Sequence, residues 1–167
     1  MVHYFEAARR GHQTAALNLA LLQVRQRQYG EARPWLDKVF EAPGQVDPRA
    51  ANARAIVRYY GGDLAGAAKD LRQARSAMLT SATIGNNLAC VVFAQGGLTT
   101  ARQLFEEALQ MDAGNSAVHH NLGKLLVIQG LPGAAVTHLR RAAQARPDDA
   151  VLAANLVEAE RQSRGER

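Results

Sequence analysis

Two consecutive segments, ATIGNNLACVVFAQGGLTTARQLFEEALQMDAGN (82–115) and SAVHHNLGKLLVIQGLPGAAVTHLRRAAQARPDD (116–149), decide the fold. Each is 34 residues long. Sliding one by 34 brings Asn87, Leu88, Gln95, Gly96, Ala101, Phe105 and Ala108 onto Asn121, Leu122, Gln129, Gly130, Ala135, Leu139 and Ala142. A fixed period of this length marks one supersecondary unit stacked on copies of itself. The period runs upstream. Gly62, Ala67, Leu71 and Ala74 lie 34 before Gly96, Ala101, Phe105 and Ala108, and Ala32, Leu36 and Val39 lie 35 before Ala67, Leu71 and Ala74. Four units result, 13–46, 48–81, 82–115 and 116–149. In each, two apolar-periodic stretches flank a short turn, such as GGDL (61–64), QGGL (95–98) and QGLPG (129–133), which predicts helix, turn, helix. The first unit has Arg27 where the turn glycine is expected.

Local signals agree with this division. Asp47-Pro48 offers an N-cap followed by proline at the first helical position, and Ser81, Ser116 and Asp149 or Asp148 are cap candidates for the later opening helices. Pro132 suits a first helical turn, whereas Pro34 requires its helix to begin near Glu31. Ala89 and Gly123 are expected to face Ala101/Ala108 and Ala135/Ala142, letting paired helices approach closely, with overpacking by a larger side chain costing about 1–3 kcal/mol. Residues 2–10 read as the second helix of a preceding half unit (1–12), a face open to self-association. Residues 150–163 read as a closing helix with Leu152, Leu156 and Ala159 inward and Glu158, Glu160 and Arg161 outward.

Composition narrows the function classes. Alanine supplies much of the 47% hydrophobic content, and aromatics are only 5%, which favours close-packed helices. The longest apolar run, Leu88 to Ala94, is about seven residues, far short of a membrane span. The start MVHYFEAARRGH has no signal-peptide core, so the expected location is the cytoplasm, or the periplasm for a piece of an exported protein. The single cysteine, Cys90, excludes an internal disulfide and a multi-cysteine zinc site. A net charge of +5, with 17 Arg against 3 Lys, is a weak pointer to acidic partners beside the plainer reading of a solvated basic surface.

The spacing and the pattern N-L-[AG]…G…A…[FL]…A, strong in 82–149, good in 48–81 and looser in 13–46, resemble tetratricopeptide repeats. The opening AARRGHQTAALNLALL also resembles the related Sel1-like repeat. The resemblance implies an all-α, right-handed superhelical solenoid of helix–turn–helix repeats forming a single domain over 1–167. It further implies a non-enzymatic scaffold that holds a peptide or protein segment on its concave face. No catalytic residue, cofactor or metal is called for.

Asn18, Asn87, Asn121 and Asn155 recur on the first helix of their units, with Asn52 completing the row if the second unit is counted from Asn18, and Ala53 taking its place if counted from Gly62. Helix interiors disfavour Asn, whose amide competes for backbone bonds. A carboxamide both donates and accepts, so a row of them suits an extended peptide backbone. In similar repeat proteins an Asn ladder on the concave face does this. Each bond would contribute ~0.5–1.5 kcal/mol, and four or five with pocket contacts suggest micromolar affinity, about −8 kcal/mol. The competing reading has the amides capping a loop or bonding an adjacent helix. One turn along lie Leu21, Ile56, Cys90, Lys124 and Glu158, then Tyr59, Phe93 and Val127, while Leu17, Asn86, His120 and Ala154 precede the row. Of these, Cys90, His120, Lys124, Tyr59 and Phe93 join the asparagines as candidate peptide contacts. Adjacent His119 and His120 point about 100° apart and cannot chelate together. Two other functions compete: a structural subunit of a secretion or pilus-type assembly that uses its ends or convex face, and a basic helical array that binds RNA. Nucleic acid is the less favoured partner.

Overall fold

The computed structural model describes Glu6, Ala8 and residues 12–41 and 47–165. Of the half unit at 1–12 only Glu6, Ala8 and His12 are described, so that reading lies outside the described residues, as do Ala7 and residues 9–11 of the Sel1-like stretch. Among those described, all regular structure is helical: α1 Gln13–Arg25, α2 Tyr29–Glu41, α3 Pro48–Tyr60, α4 Leu64–Ala77, α5 Ala82–Ala94, α6 Leu98–Met111, α7 Ser116–Ile128, α8 Pro132–Ala145 and α9 Ala150–Ser163. No described helix is long and apolar enough to cross a membrane. The chain divides into two compact units, one ending at Leu79 and one beginning at Thr80. The first unit pairs α1 with α2 and α3 with α4. The second pairs α5 with α6 and α7 with α8, and lays α9 on α8.

The helix starts follow from side-chain caps. Asp47 accepts from the Arg49 amide, Asp63 from Gly66, and Ser81 from Ile84. Asn115, not Ser116, caps α7 by accepting from Val118, which places Ser116 at the first helical position. Asp149 rather than Asp148 caps α9, accepting from Val151 and Leu152. Pro132 opens α8. Pro34 departs from expectation: α2 begins at Tyr29, so Pro34 lies inside it and the Gly30 carbonyl lacks its helical donor.

Each intra-repeat turn needs one left-handed residue. Gly62, Gly96 and Gly130 supply it at φ 84, 85 and 74°, and Arg27 adopts φ 60° at the matching place in the first turn. That conformation costs an L side chain about 1–2 kcal/mol, so the missing glycine changes the energy of the turn and not its shape.

Within each repeat the two helices meet over a small residue. The eighth residue of α1, α3, α5 and α7 is Ala20, Ala55, Ala89 or Gly123, all buried. A Cβ built on Gly123 would lie 2.6 Å from Leu139 Cγ, so the nearest neighbour is Leu139 and not the alanines expected from the repeat pattern. Gly85 instead lies against Ala108, whose Cβ would be 3.4 Å from an added Cβ. Around these contacts Leu122, Leu125, Leu126, Phe105 and Leu139 are fully buried. Trp35 packs against the buried clusters of α1 and α2. The eighth residue of α9 is Val157, 62% exposed, while Leu152 and Ala159 are buried and Leu156 is half-buried.

The second repeat carries a charged core where the next repeat is apolar. Asp70 on α4 is 1% exposed and receives two hydrogen bonds from Arg54 (2.9 and 2.8 Å) and one from Arg58 (2.9 Å). Arg54 also stacks on Phe40, its guanidinium carbon 3.1 Å from the ring centroid. Counting on by 34, Arg54, Arg58 and Asp70 become Leu88, Val92 and Leu104, all buried. The arginine that breaks the apolar pattern of α3 is therefore answered by a carboxylate sixteen residues later. Removing one partner of such a cluster strands the others, whereas an apolar replacement of the whole is nearly neutral. Asp70→Ala is expected to destabilise by about 3 kcal/mol in urea unfolding. The triple change Arg54→Leu/Arg58→Val/Asp70→Leu should return within about 1 kcal/mol of wild type; a triple variant as unstable as the single one would show that the cluster itself holds the repeat together.

Candidate functional site

In the second unit α5, α7 and α9 stand in contact, each the first helix of its repeat or its equivalent. Their fifth and sixth residues are Asn86/Asn87, His120/Asn121 and Ala154/Asn155. The sixth-place amides reach back to the preceding helix. Asn121 Nδ2 donates to Asn86 Oδ1 at 3.0 Å and to Cys90 Sγ at 3.3 Å. Asn155 Nδ2 donates to His120 Nε2 at 2.8 Å. Asn86 in turn donates to Asn87 Oδ1 at 3.4 Å. The row is thus bonded helix to helix, with sixth-place donors meeting fifth- and ninth-place acceptors. Neither Asn121 nor Asn155 offers its Oδ1 to a donor within the described residues.

Around the row, Cys90, Phe93, Val127 and His120 are half-buried and Lys124 is exposed. Burial pushes the Cys90 thiol up to about 11, against the weaker opposite pull of Lys124. Burial also lowers the pKa of His120 below its ordinary range. Lys124 and Arg146 act in the same sense, with Asp149 opposing. A neutral ring suits an Nε2 that accepts from Asn155. Glu158, at the same helical place as Cys90 and Lys124, is held low by hydrogen bonds from Gln162 and Arg161.

The first unit places the remaining candidates. Asn18 is the sixth residue of α1, half-buried, with no hydrogen bond within the described residues. Asn52 is the fifth residue of α3, the place of Asn86 and His120, and Ala53 holds the sixth. The one-residue insertion precedes α3, so counting from Gly62 is the right register and Asn52 stands beside the row. Tyr59 is half-buried and meets Tyr60 edge-on at 5.3 Å, and Tyr60 stacks on Tyr29 at 4.3 Å.

Sequence reasoning missed a second histidine contact. His119, 2% exposed on α7, sets its Nδ1 2.9 Å from His138 Nδ1 on α8 and its Nε2 3.0 Å from the Ala113 carbonyl oxygen. The signal was present at the period: His138 falls 34 after Leu104, where a core residue belongs. Arg140 donates to Glu160 of α9 at 2.9 Å. Among the described residues no three His, Cys, Asp or Glu side chains gather as a metal ion would need.

Residues 92–159 match the family model for the tetratricopeptide repeat. No curated protein matches the sequence significantly. Solved structures do. A chain of the APC/C hetero-tetramer Cut9–Hcn1 aligns with TM-score 0.83 and 19% identity over 93% of this chain, which spans only 32% of that one. Pseudomonas aeruginosa pilF aligns with TM-score 0.79 and 20% identity over 95% of this chain and 72% of its own. YrrB, described as a TPR protein with an unusual peptide-binding site, aligns with TM-score 0.70 and 15% identity over 98% and 84%. At these identities the likeness is one of fold, the all-α helical solenoid.

The chemistry of the face yields one direct expectation. A thiol raised from 9.0 to about 11 holds about a hundredfold less thiolate at neutral pH. Cys90 should therefore react with a disulfide reagent about a hundredfold more slowly in the folded chain than in urea; equal rates would show that the thiol is neither buried nor held by Asn121.

Proposed function

We propose that the chain, whose residues 92–159 match the tetratricopeptide repeat model, is a non-enzymatic scaffold holding an extended segment of a partner protein along the first-helix face. The observation that carries this reading is the state of the amides in the second unit. Asn121 and Asn155 commit N–H groups to the preceding helix, which fixes their rotamers, and their carbonyl oxygens accept no hydrogen bond within the described residues. Fixed acceptors, set 34 residues apart on touching helices, suit the backbone N–H groups of an extended chain. Phe93 and Val127 offer apolar contact beside them, and exposed Lys124 offers a cation to an acidic side chain. Asn87 belongs to the same face, and Asn18 presents the corresponding amide in the first unit. Because the amides are already oriented, less side-chain entropy is lost on binding. The peptide-binding site in YrrB's description and the hetero-tetramer containing Cut9 are consistent with a protein partner.

A display library of short peptides tests the proposal. Selected peptides should bind wild type with micromolar Kd by calorimetry. They should bind an Asn87→Ala/Asn121→Ala variant of unchanged helicity about tenfold or more weakly, each hydrogen bond contributing about 1 kcal/mol. Unchanged affinity in the variant would move the site off this face. A steep fall of affinity for RNA with added salt would point to phosphate contacts instead.

A further inference from the structure

We propose that the paired imidazoles of His119 and His138 form an acid-released latch between α7 and α8, closed while a single proton lies between the two Nδ1 atoms. The geometry dictates where the protons are. The Ala113 carbonyl oxygen can only accept, so His119 Nε2, 3.0 Å away, carries hydrogen. In the neutral ring Nδ1 is then a lone pair, and His138 Nδ1, 2.9 Å away, must donate to it. A first added proton can sit on His138 Nε2 and leave this bond intact. A second can go only to His119 Nδ1, setting two N–H groups head-on and two like charges within one part-buried contact. The bond cannot survive both rings being charged.

The surroundings oppose even the first charge. Burial lowers the pKa of His138 below 6.5; His119 and Arg141 of its own helix push the same way, Glu106 of α6 opposes them, and Arg102 of α6 adds to the lowering. Glu106 is already paired with Arg102 at 2.8 Å. No charged group of α9 acts on His138, and α5 contains no charged residue. The unfolded chain therefore takes up this proton near 6.5 and the folded repeat only at lower pH. The stabilisation is complete above 6.5 and is lost as pH falls below it. His120 is depressed in the same direction, so its contribution has the same sign. The device is confined to one repeat. Counting back by 34, the pair is Gly85/Leu104 and then Ala51/Asp70, neither of which is a pair of imidazoles.

Hydrogen exchange followed by mass spectrometry on the whole chain from pH 8 to pH 5, corrected for intrinsic rates, tests the inference independently of the peptide reading. Peptides from α7 and α8 should lose protection by up to about tenfold per pH unit for each proton taken up, while those from α6 hold theirs. His138→Leu, which installs the residue of the preceding repeat, should flatten the pH dependence. His138→Gln, which keeps a donor for His119 and cannot charge, should do the same and carries the comparison if the leucine variant is misfolded by circular dichroism. Flat protection in wild type, or an acid loss in the folded variants as large as that of wild type, would overturn the latch; a smaller remainder is the share of His120.

Discussion

The close approach of two helices over a residue with almost no side chain is the constraint on which the repeats depend. Gly123 against Leu139 shows it at its tightest, for a single added carbon would lie 2.6 Å from the leucine. Once the backbones are that near, the neighbouring positions have little freedom. Leu122 and Leu126 must turn into the shared interior, and the turn must reverse within three residues, which brings Gly130 to positive φ. Ala20, Ala55 and Ala89, at the same helical place, are fully buried. Close packing also means that a change of volume here is felt by the whole repeat.

Against this fixed geometry, the slot formed by the seventh and eleventh residues of a first helix and the seventh of a second is chemically variable. In the repeat beginning at Ala82 it holds Leu88, Val92 and Leu104. In the one before, it holds two arginines closed on Asp70. In the one after, it holds Leu122 and Leu126 with His138, which turns to His119. Each polar occupant has a partner: the arginines close on the buried Asp70 within the slot, and His138 meets His119 beside it. The three solutions differ in how they respond to conditions. An apolar slot is indifferent to pH, an ion cluster depends on both charges being present, and a pair of imidazoles changes its bonding in the range where histidine titrates.

The first-helix face of the second unit combines two roles in one row of side chains. The amide donors of Asn121 and Asn155 tie each helix to the one before, and the carbonyl oxygens left over are the groups we read as peptide acceptors. The two readings of the asparagines, as inter-helix bonds and as ligand contacts, therefore use different atoms of the same side chain. Cys90 takes part in the inter-helix bonding. Burial keeps it a thiol, and as a thiol it serves as a soft acceptor for Asn121.

Periodicity alone was enough to read the helix–turn–helix repeats and the small residues of their first helices, though not that Gly123 meets Leu139, because a repeated backbone imposes the same steric demand every 34 residues and that demand leaves a trace in residue size. The recurrence of Asn on one helical face was legible for the same reason. What periodicity cannot carry is the exception. Arg54 breaks the apolar pattern of its helix and makes sense only with Asp70 against it. His138 has no meaning apart from His119, and the choice between Asn52 and Ala53 for the row stayed open until the start of α3 at Pro48 set the register. Each of these depends on a partner on another helix or on a one-residue shift in a loop. A hydrogen bond is made or missed within a few tenths of an ångström, a scale at which only the packed helices decide which side chains meet.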